Sequence, residues 1–138
     1  MHLSFVRSLQ CHHLYDIIFA EKFPTVRLVG GATSSEGRLE VLYNGTWGTV
    51  CDDFFNSLEE MVVCRQLGFI GVISLAGSIL NFGVGEGPIW LDDVECTGSE
   101  DSILNCSHRG FGVHNCDHTE DVGIICGKVV YYSVHTEW

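Results

Sequence analysis

Six of the seven cysteines, Cys51, Cys64, Cys96, Cys106, Cys116 and Cys126, fall in one glycine-rich, acidic segment, and no two of them form a Cys-x-x-Cys pair. Zinc cages built from cysteine bring two ligands on one tight knuckle, whereas the last four cysteines are each separated by nine residues, too far for a knuckle. The spacing reads as a disulfide framework made in an oxidising compartment. Cysteine arithmetic does not choose among the many pairings that six half-cystines allow. Cys11 stands apart, far upstream.

A chain of 138 residues fits one domain with tails, since domains commonly run to about 100–150 residues. With 46% hydrophobic and 18% charged residues and 16 glycines, it has the material for a core and many turns and does not read as disordered. A bridge that closes a long loop would add roughly 4 kcal/mol, comparable with the whole net stability of a small domain. The net charge is −11, and all of that excess lies between Cys51 and Asp121, where thirteen acidic residues face only Arg65 and Arg109. Nucleic acid is therefore excluded as a specific partner. Most of these carboxylates read as a solvated surface that keeps the protein soluble.

No stretch approaches the roughly 18 apolar residues of a membrane-spanning helix. Arg7, His12, His13, Asp16 and Glu21 interrupt the N-terminal segment, and the short apolar patch from Ile17 to Ala20 makes no signal-peptide core. Because the cysteines call for secretion, the targeting signal is expected outside this stretch, in a longer protein or upstream of a different start.

Residues 1–24 form an extension with no assigned fold, residues 25–127 one domain and residues 128–138 a tail. A strand is expected from Thr25, after Pro24. A second, over residues 38–43, puts Leu39, Val41 and Tyr43 on one face, and Asn44-Gly45 is a strong type I′ hairpin turn into a third at 46–51. Ser57 and Glu60 stand in capping-box register ahead of a short helix that carries Cys64 and stops at Gly68. Its apolar residues point nearly all round, which predicts enclosure by sheet. The glycine-rich stretch 68–88 reads as a long loop with one strand around Ile73 to Leu75. Strands are expected at 89–94 and 122–126, and a helical turn opening at Ser99, with Glu100 and Asp101 at its positive end.

Several blocks, in order, carry a family resemblance: Val26-Arg27-Leu28-Val29-Gly30-Gly31, Gly37-Arg38-Leu39-Glu40-Val41, Gly45-Thr46-Trp47-Gly48-Thr49-Val50-Cys51-Asp52-Asp53, Val63-Cys64-Arg65-Gln66-Leu67-Gly68, Gly87-Pro88-Ile89-Trp90-Leu91-Asp92-Asp93-Val94 and His118-Thr119-Glu120-Asp121-Val122-Gly123. Together they make the segment from Val26 to Gly127 resemble a scavenger receptor cysteine-rich domain of the six-cysteine kind, known as group A. The resemblance implies a small disulfide-rich α+β fold, a curved antiparallel sheet wrapped around one helix, and bridges Cys51–Cys116, Cys64–Cys126 and Cys96–Cys106. Members of this family are extracellular binding modules on receptors, in secreted glycoproteins and appended to extracellular proteases and oxidases, and are not themselves catalysts.

With that pairing, a bridge from Cys51 to Cys116 draws the adjacent Asp52 and Asp53 toward Glu120, four residues past Cys116. Crowded carboxylates need a cation, and oxygen-only ligands select a hard one: Ca²⁺ first outside the cell, Mg²⁺ second. These positions match a divalent-cation site of several family members, and Asp92, Asp93 and Asn115 resemble a weaker second one. The bland alternative is that the acids cap turns and accept backbone hydrogen bonds. His114, Cys116 and His118 alternate, with His108 nearby, in a pattern suited to zinc only if Cys116 were a thiolate. Gly83-Val84-Gly85-Glu86-Gly87 lacks phosphate-loop spacing and no Gly-x-Ser-x-Gly elbow occurs, so no catalytic residue is assigned. Asn44-Gly45-Thr46 and Asn105-Cys106-Ser107 are glycosylation sequons, the first at the hairpin tip and the better one.

The expected function is an extracellular recognition module, secreted or on the ectodomain of a membrane receptor. It would bind microbial or host protein or polyanionic ligands with help from a bound cation, and gain strength by multivalency. Its arginines, Arg27, Arg38, Arg65 and Arg109, are scattered in sequence, which disfavours direct polyanion binding. The alternative is a non-catalytic interaction domain appended to a larger extracellular protease or oxidase.

Overall fold

The computed structural model describes residues 24–70 and 82–127. The expected strand around Ile73 to Leu75, Cys11, residues 1–23 of the extension and the tail at 128–138 lie outside the described residues. Among the described residues, five strands and one helix follow in the order β1 (Val26–Gly30), β2 (Glu36–Tyr43), β3 (Thr46–Val50), α1 (Ser57–Gln66), β4 (Ile89–Leu91) and β5 (Gly123–Ile125), with 3-10 turns at Ile103–Asn105 and His118–Glu120.

The long central strand β2 organises the sheet. β1 covers one edge of it, from Val26↔Val41 to Gly30↔Gly37. The other edge is shared end to end, with β3 on residues 40–43 and β5 on residues 36–38. Gly37 sits where three strands converge, and a Cβ there would lie 2.6 Å from Val29 N, so only glycine fits. At the tip, Asn44 (φ 51°) and Gly45 (φ 77°) make the expected two-residue turn with both residues left-handed.

The sheet is mixed: β4 pairs β3 in parallel. The expected small disulfide-rich α+β fold, with an antiparallel sheet and one helix, is the one observed; β4 alone departs from antiparallel pairing, because it returns from a crossover that contains α1, and crossovers place strands parallel. Leu39, Val41, Val50, Val62, Val63, Leu91, Val94, Ile103, Val122 and Ile124 form the core. Cys64–Cys126 ties α1 to the end of β5, Cys51–Cys116 closes an acidic ledge at the end of β3, and Cys96–Cys106 brackets the loop between them.

Three local readings shift. Asn56, rather than Ser57, caps α1: its side chain accepts from Leu58 N (3.2 Å), and Glu59 reaches back to Asn56 N (2.9 Å). Asparagine is at least as good a cap as serine, and this register satisfies two orphan donors. The helix is not enclosed all round, since Leu58 and Met61 face water while Glu59 and Glu60 are buried. The helical turn expected at Ser99 opens at Ser102 instead, which caps Ile103–Asn105. Glu100 gathers Thr97 N and Gly98 N at the earlier position, and those N–H groups hold its carboxyl down to about 2.

Candidate functional site

The end of β3 and the approach to β5 meet across an isolated bridge between Cys51 and Asp121. Asp52 N donates to the Glu120 carbonyl (2.9 Å), Val122 N to Val50 O (2.9 Å), and Cys51 N to Leu91 O (2.9 Å). The backbone thus fixes 51–53 between the segment 120–122 on one side and the end of β4 on the other. A tight turn comes next, with Phe55 N donating to Asp52 O and Phe54 left-handed at φ 63°, so the two aspartates leave the strand together. The disulfide from Cys51 to Cys116 (S–S 2.03 Å) spans a sequence separation of 65.

One ligand atom each from Asp52, Asp53 and Glu120 lies within 4.8 Å of the others, and all three residues are partly exposed. Burial, then Asp53 and Glu120, raise the Asp52 carboxyl above its usual range; burial, then Asp92 and Glu120, do the same for Asp53. Glu120 is held by its own turn, a capping box in which its Oε2 accepts from Asp117 N (2.8 Å). Three converging oxygen donors, with the Asp52 and Asp53 carboxyls held above their usual range, fit a hard divalent cation and leave coordination positions to water or a ligand. The cysteines of this cluster are oxidised and donate nothing to it.

The second acidic group adjoins the first through Asp53, which also clusters with Asp92. With its amide nitrogen turned to the acids, Asn115 donates to Asp53 Oδ2 and Asp92 Oδ2, 3.2 Å each. Asp92 is fully buried and already engaged: Arg109 Nη1 lies 3.5 Å from its Oδ2, Asn115 N donates to the same oxygen, and Asp93 N to Oδ1. Arg109 also reaches Asp93 (4.0 Å). This group therefore contains its own cation, a role the sequence reading gave to no residue. The nearness of Arg109 to two adjacent aspartates in the fold, seventeen residues away in sequence, leaves no local signal.

The other arginines are also spoken for. Register opposes Arg27 to Glu40, and Arg27 and Arg38 both pair with that buried carboxylate, at 2.6 and 2.9 Å. Arg27 also lies over the Trp47 ring (4.1 Å). Arg65 donates to the Gly98 and Glu100 carbonyls. The fold does bring two scattered arginines together, but around an acid, so no open basic cluster results among the described residues.

His118 bonds with both ring nitrogens, to Asp121 (3.0 Å) and to the Gly87 carbonyl (2.9 Å). Burial opposes its charge, but the Gly87 carbonyl and Asp121 outweigh it and raise the imidazole above its usual value. Asp121 also accepts from Gly85 N (2.7 Å), so it pins the returning loop. His114 and His108 accept from Cys116 N and Gly110 N. These are turn-forming histidines beside a disulfide, and they do not assemble the zinc set. Of the two sequons, Asn44 stands at the exposed tip of the β2–β3 hairpin and Asn105 in the 3-10 turn before the bridged Cys106.

Known proteins share this architecture. The third SRCR domain of murine neurotrypsin superposes with a TM-score of 0.66 at 44% identity, covering 78% of this chain and 98% of that one. The SRCR domain of mouse MARCO, in its dimeric form, superposes at 0.60 and 42% identity, covering 79% and 98%. Lysyl oxidase homolog 4 of Bos taurus is 56% identical over 102 residues, which is 73% of this chain but 13% of that protein. The chain thus spans a small fraction of the length of such curated relatives. The scavenger receptor cysteine-rich domain matches residues 29–127, and the chain belongs to that family.

Proposed function

We propose that this domain is an extracellular recognition module of the six-cysteine branch that binds protein or polyanionic ligands with the help of Ca²⁺, or second Mg²⁺, held by Asp52, Asp53 and Glu120. The observation that carries the reading is the ledge itself: three converging carboxylates beside which every described arginine is engaged elsewhere. An anionic ligand meets repulsion at such a surface. When bound, the cation supplies positive charge and open coordination positions there. Asp53 matters most, since it clusters with both acidic groups; Asn115 donates to it, and the Asp52–Glu120 backbone bond holds the two chain segments of the ledge together. The three disulfides and the family membership support a location outside the cell.

Calorimetric titration with Ca²⁺ alone tests the site. Wild type should give a saturable heat, and an Asp53→Ala, Glu120→Ala double variant should give none. Equal heats from the two proteins overturn the assignment. Binding to a polyanion probe such as dextran sulfate should disappear in EDTA, and EDTA-insensitive binding would remove the cation from the mechanism.

A second reading is favoured by the relatives: the domain is a non-catalytic interaction unit of a larger extracellular oxidase or protease. The 13% coverage of lysyl oxidase homolog 4 supports it. The domains encoded beside this one in the full transcript decide between the two contexts.

A further inference from the structure

We propose that Asn44 carries an N-linked oligosaccharide whose first sugars lie over the Tyr43–Phe111 ring stack, and that Asn105 stays unmodified. Asn44, Gly45 and Thr46 are all exposed. A Cβ built on Gly45 meets nothing within 4 Å, so the volume over the turn is open to a bulky substituent. The ladder ends at the Tyr43↔Thr46 pair, and derivatising the Asn44 side chain removes no backbone bond from it.

The residue before the sequon supplies a platform. The Tyr43 ring stacks on Phe111 with centroids 3.7 Å apart and planes 5° apart, and meets Trp90 edge-on at 5.1 Å. Tyr43 remains 40% exposed and nearby Val113 47% exposed, so an apolar surface reaches water beside the tip. A covalently tethered sugar is the occupant this geometry favours, because attachment one residue away replaces the cost of association with a short loop closure. The apolar C–H face of a pyranose suits an aromatic surface as other amphipathic groups do.

In the transfer step, Asn44 Nδ2 forms a bond to C1 of the first N-acetylglucosamine of a lipid-diphosphate oligosaccharide. The C1–O bond to diphosphate breaks, the lipid diphosphate departs with its electron pair, and Nδ2 gives up one proton. Asn105 presents a different picture. Its N–H is tied to Ser102 O (3.0 Å), Cys106 is bridged to Cys96, and Ser107 exchanges two backbone bonds with Glu95 (2.9 and 3.0 Å). Bridge and turn both compete with the extended chain that transfer requires.

The test is intact mass of the full chain, secreted from cultured animal cells behind a cleavable leader, before and after peptide-N-glycosidase. One oligosaccharide should be released, leaving aspartate at position 44. Asn44→Gln and Thr46→Val should each lack it, while Thr46→Ser and Asn105→Gln should keep it. Unmodified Asn44 in the secreted protein, or sugar that persists in Thr46→Val, overturns the proposal. For the ring contact, enzymatic removal should lower the Tm of wild type by about 3–5 °C and leave that of Phe111→Ala unchanged; equal shifts in both proteins overturn that part. Calcium binding by Asp52, Asp53 and Glu120 is measured separately and does not depend on either result.

Discussion

The ledge of Asp52, Asp53 and Glu120 and the helix pair Glu59–Glu60 both set carboxylates side by side, and the molecule relieves them by different routes. On the ledge the acids are partly exposed and converge within 4.8 Å, so an ion from solution can enter and neutralise them. In α1 both acids are buried. Glu59 is fully used, accepting from Asn56 N (2.9 Å) and from Cys96 N (2.7 Å). Glu60 is 0% exposed, and neither of its carboxylate oxygens has a partner among the described residues. Burial, then Glu59, push its carboxyl up to about 7. The same local chemistry thus leaves charge that a cation from solution can neutralise where water reaches, the role proposed above for Ca²⁺, and calls for a proton where it does not.

The largest expected effect separates the two regions covalently. Replacing Cys51 and Cys116 by serine removes a bridge of separation 65 and should cost about 4 kcal/mol in denaturant unfolding. It should abolish the Ca²⁺ heat while leaving the pH behaviour of α1 intact. Retention of the heat would show that the Cys51↔Asp121 pairing alone holds the ledge, and the comparison would then rest on backbone and not on sulfur.

Glu60 gives the next effect. Below about pH 4.5 its carboxyl is neutral in both folded and unfolded chains. Between there and about pH 7 the unfolded chain ionises and the folded one does not, so stability falls as pH rises, by up to about 3 kcal/mol. Above pH 7 the loss levels off. The difference between wild type and Glu60→Gln in unfolding free energy should follow that curve. A difference that stays constant from pH 4.5 to 8 shows that the carboxyl finds a partner in solution.

Much of this was legible in sequence, and the failures share a cause. Asn44-Gly45 announces its hairpin because a two-residue turn demands left-handed backbone from local chemistry alone. The blocks from Val26 to Gly123 carried the family because they match it together and in order. What escaped depends on reach between distant segments: Arg109 on Asp92 and Asp93, Asp121 on Gly85, Glu40 between Arg27 and Arg38. Glu60 was readable in principle. Once Cys64 is bridged to Cys126 inside the core, the residue one turn before it must also face inward. Amphipathic counting misses it because such counting weighs hydrophobicity and not the direction that a disulfide imposes.

The smallest effect concerns the border between the two acidic groups. Arg109 is 43% exposed and sits 3.5 Å from buried Asp92, so its ion pair should be worth only about 1 kcal/mol. Arg109→Gln should therefore unfold slightly earlier in the absence of metal. The larger consequence is for metal binding: with the built-in cation gone, Asp92, Asp93 and Asp53 keep only neutral donors, Asn115 and the Asp93 N–H, and like the ledge they then have no arginine. The variant should bind a second equivalent of Ca²⁺ and recover its lost stability in doing so, whereas wild type should bind one. If both proteins bind two, Arg109 does not occupy the second group in solution. If both bind one, three acids are not enough without the backbone pairing that brings Asp52 to Glu120, and the distinction between ledge and helix then turns on backbone geometry more than on access of water.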